Sequence, residues 1–187
     1  MRQGAKKQIF QVLIAVFITA MVVRIFILDS FIVKGDSMAP SILPGDYVFM
    51  NRLSYGWGKP VSRGDVVVAR FRKLERNVIK RVLGLPGERV EIIPNQISIK
   101  KERTEVGNVV MEKEYLNLPN FATNGTTTIK LDPQEYFLLG DNRFISTDSR
   151  ELGAVDLWDI EGRIFLLVRV KNLSIYVFKG NTAMKVY

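Results

Sequence analysis

Residues 9–28 read IFQVLIAVFITAMVVRIFIL, an apolar run broken only by Gln11, Thr19 and Arg24. A helix rises 1.5 Å per residue, so about twenty residues match the roughly 30 Å hydrocarbon layer of a bilayer. The run therefore predicts one membrane-spanning helix. Arg24 lies close enough to the far end for its guanidinium to snorkel to the interface. A removable secretory signal shares the basic start and the apolar run, but it needs a shorter apolar core and small residues at a cleavage site. Here Val22, Val23, Arg24 and Ile25 are bulky, which favours an uncleaved anchor. Arg2, Lys6 and Lys7 precede the run and no acid occurs before Asp29. By the positive-inside rule the basic residues 1–8 stay in the cytoplasm, and everything after Leu28 lies on the extracytoplasmic face of the plasma membrane.

The chain has 187 residues, which leaves one domain of roughly 150 residues after the anchor, a common size for a single core. Short apolar runs punctuated by Gly, Pro and Asn predict a mainly β fold. Expected strands cover residues 31–34, 47–53, 65–71, 78–83, 89–93, 97–101, 136–139 and 162–170. Pro86-Gly87 and Asn124-Gly125 are hairpin signals. Residues 95–132 are more polar and alternate weakly, so they read as an inserted β subdomain within an antiparallel catalytic domain over 29–179. Residues 180–187 read as a frayed tail.

Two absences narrow the chemistry. The chain has no cysteine and no histidine, which excludes disulfides, Ser-His-Asp and Cys-His catalysis, and nearly every familiar zinc geometry. A general base working near neutral pH must then be a carboxylate or a lysine with a lowered pKa. The formal charge of +8 and pI of about 9.8 raise the question of nucleic acid. The excess is partly in the anchor and otherwise dispersed, with no basic stripe interleaved with aromatics, so no nucleic-acid partner is expected.

Three segments carry chemistry. Ser37 follows a short predicted strand in the Gly- and Pro-rich stretch 35–46, where Gly35 allows close backbone approach and the turn can expose the Ser37 hydroxyl and N–H. An ordinary structural turn serine fits the same stretch. Lys80 lies in the run 78–83, where alternation puts it on one face with Val78 and Val82, and Ile79, Arg81 and Leu83 on the other. An amine between two valines on a buried face is desolvated, and burial lowers a lysine pKa by up to about 3–5 units; an edge lysine facing water is the alternative. The third segment is the polar loop 140–150, in which Asp148 and Arg150 can pair and Ser146 can hydrogen bond an amine. A cation loop built on Asp141 and Asp148 is the poorer reading, because acidic ligands are sparse and the spacing does not match a calcium loop.

Taken together these segments resemble the type I signal peptidase family, the Ser/Lys peptidases that bacteria use to release exported proteins. The resemblance spans the N-terminal anchor, SMAPSILPGD at 37–46, RGDVVV at 63–68, KRVLGLPGE at 80–88 and GDNR with S.DSR across 140–150, in the family's order. It implies Ser37 as nucleophile, Lys80 as general base, Ser146 as the serine orienting the amine, and Asp148 with Arg150 as a supporting ion pair. Gly35, Met38 and Asp141 lie in the same boxes and count as supporting residues. It also implies an acyl-enzyme, no metal and no cofactor. The substrates it implies are preproteins with an apolar signal helix and small residues at positions −1 and −3. Leu53, Tyr55, Trp57 and Trp158 are candidates for apolar or interfacial surface.

Two departures bear on the site: Gly35 replaces a hydroxyl residue common two places before the nucleophile, and Phe144-Ile145 replaces a usual Asp-Asn. The first leaves the oxyanion to the Ser37 N–H and another donor. Rival readings are a self-cleaving Ser/Lys repressor, which needs a cytosolic DNA-binding domain where this chain has an apolar run, and a non-catalytic membrane-tethered β module that binds signal peptides.

Overall fold

The computed structural model describes residues 2–55, 59–94, 96–101, 108–109, 126–179 and 182–186. Helix α1 covers Arg2–Phe26, so it ends two residues before the span expected over 9–28. The cause is strand pairing: Leu28 opens β1 (Leu28–Ile32), which pairs antiparallel with β2 (Tyr47–Asn51), and the Ile27 carbonyl accepts from the Arg52 N–H at 2.9 Å. Arg52 also reaches Asp29 at 2.6 Å. The large apolar side chains along the first four turns of the run, including Phe10, Leu13, Phe17 and Ile18, are all well exposed. Among the described residues no helix is long and apolar enough to cross a membrane.

The remaining strands are β3 (Val66–Phe71), β4 (Arg76–Gly84), β5 (Glu88–Ile93), β6 (Gln96–Lys101), β7 (Asn108–Val109), β8 (Thr127–Lys130), β9 (Glu135–Leu139), β10 (Val155–Asp156), β11 (Ile160–Arg169), β12 (Ser174–Lys179) and β13 (Thr182–Lys185). They form two antiparallel sheets. In the larger, the order is β1-β2-β11-β3-β4-β9-β10, with β12 and β13 continuing from β11. The smaller has the order β7-β6-β5-β8. The mainly β, antiparallel expectation is met.

Alternation decides which side chains enter the cores. In β5, Val90 and Ile92 are buried while Arg89 and Ile93 face water, the period-2 pattern of a strand with one covered face. They join Leu83, Phe137 and Leu139, at the ends of β4 and β9, in one apolar cluster that ties the two sheets together. Val82 sits with Val67 and Ala69 in a second cluster, and Ile79 packs on a third around Val66, Val68 and Ile164. Thus β4 is covered on both faces near its centre.

Two expectations need correction. Pro86-Gly87 does make a turn, with Gly87 at φ +75° and the Glu88 N–H on the Leu85 carbonyl at 3.1 Å. It does not close a hairpin, because β4 belongs to the larger sheet and β5 to the smaller. The tail is not frayed across 182–185: these residues form β13, and Ala183 packs on the core through its pairing with Phe178. Asn124-Gly125 and Trp57 lie outside the described residues.

Candidate active site

Lys80 owes its place to two strand pairings. Across β3 it faces Val67, and β9 joins the other edge of β4 only from Arg81 onward, opposite Leu139. The edge 76–80 is therefore left open toward a cleft of about 450 Å³. That cleft is lined on one side by the chain from Phe31 to Met38, which includes Ser37, and on the other by residues 76–80 of β4, which include Lys80. Sequence neighbours do not bring these segments together; the antiparallel sheet does.

Lys80 is only 2% exposed. Burial, the largest cause, lowers its pKa from 10.5 to about 8; the carboxylates of Asp148 and Asp141 oppose the shift, and Arg150 and Arg76 assist it. Desolvation wins because an ammonium loses its hydration on entering the protein, and the nearest carboxylates are already engaged by arginines.

Those engagements build the floor of the site. Asp148 is fully buried and accepts from Arg150 at 2.8 and 3.0 Å and from the Gly140 N–H at 3.0 Å. It also caps the short helix α2 (Ser149–Leu152) through the Arg150 N–H, the usual task of an aspartate at a helix start. Arg150 in addition donates to the Ser146 carbonyl at 3.2 Å. Asp141 accepts both arms of Arg81 at 2.8 and 2.7 Å, with both side chains buried. The Arg81 partner was not anticipated, although alternation had put Arg81 on the face opposite Lys80.

Gly140 and Ser146 complete the junction. The Asn142 N–H donates to the Ser37 carbonyl, and the Ser146 N–H to the Asn142 carbonyl, each at 3.0 Å. A methyl added at Gly140 would overlap Ser146 Oγ and lie 2.5 Å from the Ser37 carbonyl oxygen. Only glycine lets the loop, Ser37 and Ser146 approach this closely. The Ser146 hydroxyl is buried without a hydrogen-bond partner among the described residues, and neither the Ser37 hydroxyl nor the Lys80 amine is hydrogen bonded to a described residue. Met38 is buried beneath Ser37 in the apolar core. Gly35 borders the cleft with open space where a side chain would be.

The signal peptidase model, peptidase S26, matches residues 6–169. The chain belongs to the signal peptidase family. Curated relatives bear this out: it is 33% identical to signal peptidase I of Rickettsia typhi over 205 aligned residues, covering 84% of this chain and 78% of that protein. It is 34% identical to signal peptidase I of Rickettsia prowazekii, with 77% and 72% covered. A crystal structure of a signal peptidase I from Enterococcus faecalis is similar at 28% identity and a TM-score of 0.45, covering 56% of this chain and 97% of that one. As a member of the signal peptidase family the protein is a serine peptidase, a hydrolase. Of the residues singled out from sequence, Ser37 and Lys80 border one cleft, while Ser146, Asp148, Arg150 and Asp141 surround its floor. Leu53 and Trp158 are exposed, whereas Tyr55 packs on the core and donates to Asp65 at 3.0 Å.

Proposed function

We propose that the protein is a membrane-tethered endopeptidase that cuts signal peptides from exported preproteins, with Ser37 as nucleophile and Lys80 as general base. The observation that carries this reading is the shared cleft: an exposed-turn serine faces a buried lysine whose pKa is lowered to about 8. A neutral amine is then available at mildly alkaline pH in a chain that has no histidine.

In the reaction, neutral Lys80 takes the Ser37 hydroxyl proton as Oγ bonds to the scissile carbonyl carbon. Collapse of the tetrahedral adduct breaks the C–N bond, and Lys80 returns the proton to the leaving amine. The ester acyl-enzyme is hydrolysed by water that Lys80 deprotonates in turn. The Ser37 N–H is one donor to the oxyanion, and such a donor contributes about 2.7–4 kcal/mol to the transition state. Ser146, with its hydroxyl unpaired, orients the amine. Asp148 and Arg150 hold the Ser146 loop. The apolar cleft walls, Phe31, Val33, Met38, Val78 and Ile145, suit small apolar substrate side chains better than charged ones. The open edge of β4 offers unpaired backbone groups to an extended substrate.

The tether is α1. Its apolar side chains are exposed around the helix, and a helix apolar all round requires a non-aqueous cover. The basic residues before it favour a cytoplasmic N-terminus and an extracytoplasmic catalytic domain.

The test is incubation of the detergent-solubilised protein with a preprotein and mapping of the new N-terminus. Ser37→Ala and Lys80→Ala should each reduce processing on the order of 10³-fold or more without unfolding the domain. Lys80→Arg should fail too, since a guanidinium stays protonated. Processing by either alanine variant at the wild-type rate rules out the dyad.

A further inference from the structure

The cleft carries charge that the proposed reaction does not use. Arg76 and Lys34 both line it and both are exposed. Neither makes a hydrogen bond or ion pair with a described residue. Most other arginines near the site are engaged: Arg81 by Asp141, Arg150 by Asp148, Arg143 by the Gly140 carbonyl. The carboxylate that shares the cleft lining, Asp36, lies beside Ser37 and is not paired with either cation.

Position along β4 gives Arg76 a reach. It lies four residues before Lys80 on the strand whose cleft-side edge is open. Strand residues rise about 3.3 Å each and alternate faces, so Arg76, Val78 and Lys80 point the same way and Arg76 stands about 13 Å from Lys80. A peptide lying extended along that edge, with its scissile carbonyl between Ser37 and Lys80, brings a residue about four positions from the cut opposite Arg76. We infer that Arg76, assisted by Lys34, is a specificity-determining residue that favours preproteins with a carboxylate side chain at that distance from the cut. The inference rests on the peptidase reading above.

Attraction between exposed charges is modest and screened by salt, so the effect is a preference and not a requirement. Arg76 also acts on Lys80 through its field, and a rate measured with one substrate would mix the two influences. The ratio of rates for two substrates on the same enzyme cancels the effect on Lys80.

The experiment uses the full chain in non-ionic detergent without anionic lipid. Matched preprotein peptides carry Asp, Asn or Lys at one position, scanned from three to five residues on either side of the cut. At one such position the Asp peptide should exceed the Lys peptide by about fivefold in kcat/KM at low salt, mainly through KM. The ratio should shrink in 0.5 M salt, persist in Arg76→Lys, fall to about one in Arg76→Gln and invert in Arg76→Glu. An Asp-to-Lys ratio that Arg76→Gln leaves unchanged overturns the inference. So does an effect of Arg76→Gln that is equal for all peptides and appears only with anionic vesicles, since that would assign the cations to lipid headgroups. Cleavage of every peptide without charge dependence would sink this inference alone; failure of the wild-type enzyme to cleave any of them would sink the peptidase reading with it.

Discussion

Lys80 is held in conflict between function and stability. Its ammonium is buried, and its lowered pKa means that the native state binds the proton less tightly than the unfolded chain does. Between about pH 8 and pH 10.5 the unfolded state therefore carries more protons, and native stability rises with pH across that window; below pH 8 the full penalty of the buried charge applies. Lys80→Met, similar in size and apolar, should abolish cleavage yet stabilise the fold by on the order of 1–3 kcal/mol at pH 6–7. Chemical denaturation at pH 7 and at pH 10 checks this, with the advantage of the variant shrinking at the higher pH. The same titration governs activity. In the proposed mechanism kcat/KM should climb on the acid side with a midpoint near 8, because only neutral Lys80 accepts the Ser37 proton. A flat profile from pH 5 to 10, with chemistry rate-limiting, would remove Lys80 from the role of base.

At the scale of the element, the loop between β9 and α2 depends on one close approach. Gly140 N–H is held by Asp148, its carbonyl accepts from Arg143 at 2.9 Å, and its Cα packs against Ser146 and the Ser37 backbone. A side chain there must push the loop off the cleft. Gly140→Ala should lower stability by about 1–3 kcal/mol and cut activity more than tenfold, because the loop carries Ser146. Gly35 makes the internal control: it has open space around it and its φ lies outside the left-handed region, so Gly35→Ala should leave the melting temperature within about 2 °C of the parent. Equal damage from both substitutions would mean that the loop is not positioned by the Gly140 contact.

For the whole molecule the governing asymmetry is between α1, whose apolar side chains have no cover, and a β body whose apolar side chains fill three clusters. The proposed topology predicts that the full chain stays with the membrane on alkaline carbonate extraction. It also predicts that a protease outside intact spheroplasts cuts residues after Leu28 while the N-terminus is protected. Cytoplasmic accessibility of loop 140–148 would overturn that orientation. The C-terminal strands belong to the same body: β13 completes the edge of β12 and Ala183 packs beside Phe178. Truncation after residue 181 should accordingly lower the melting temperature, read by calorimetry.

The sequence by itself determined what depends on near neighbours along the chain. Period-2 alternation located most of the central strands and put Lys80 on the face of Val78 and Val82; the apolar run announced α1, and the ordered boxes around Ser37, Lys80 and residues 140–150 announced the family. It missed β12 and β13 because their order comes from pairing, as Phe178 on Ala183, and not from a strong local pattern. It misread Pro86-Gly87 as a hairpin because a turn signal says where a chain bends and not which sheet each arm joins. Only the tertiary structure decided the chemistry of the site. Arg81 meets Asp141 across 60 residues of sequence, Ser37 meets the Gly140 loop across more than 100, and the lowered pKa of Lys80 comes from desolvation by strands on either side of it. Burial and charge proximity are properties of space, and the chain order encodes them only once the sheets have closed.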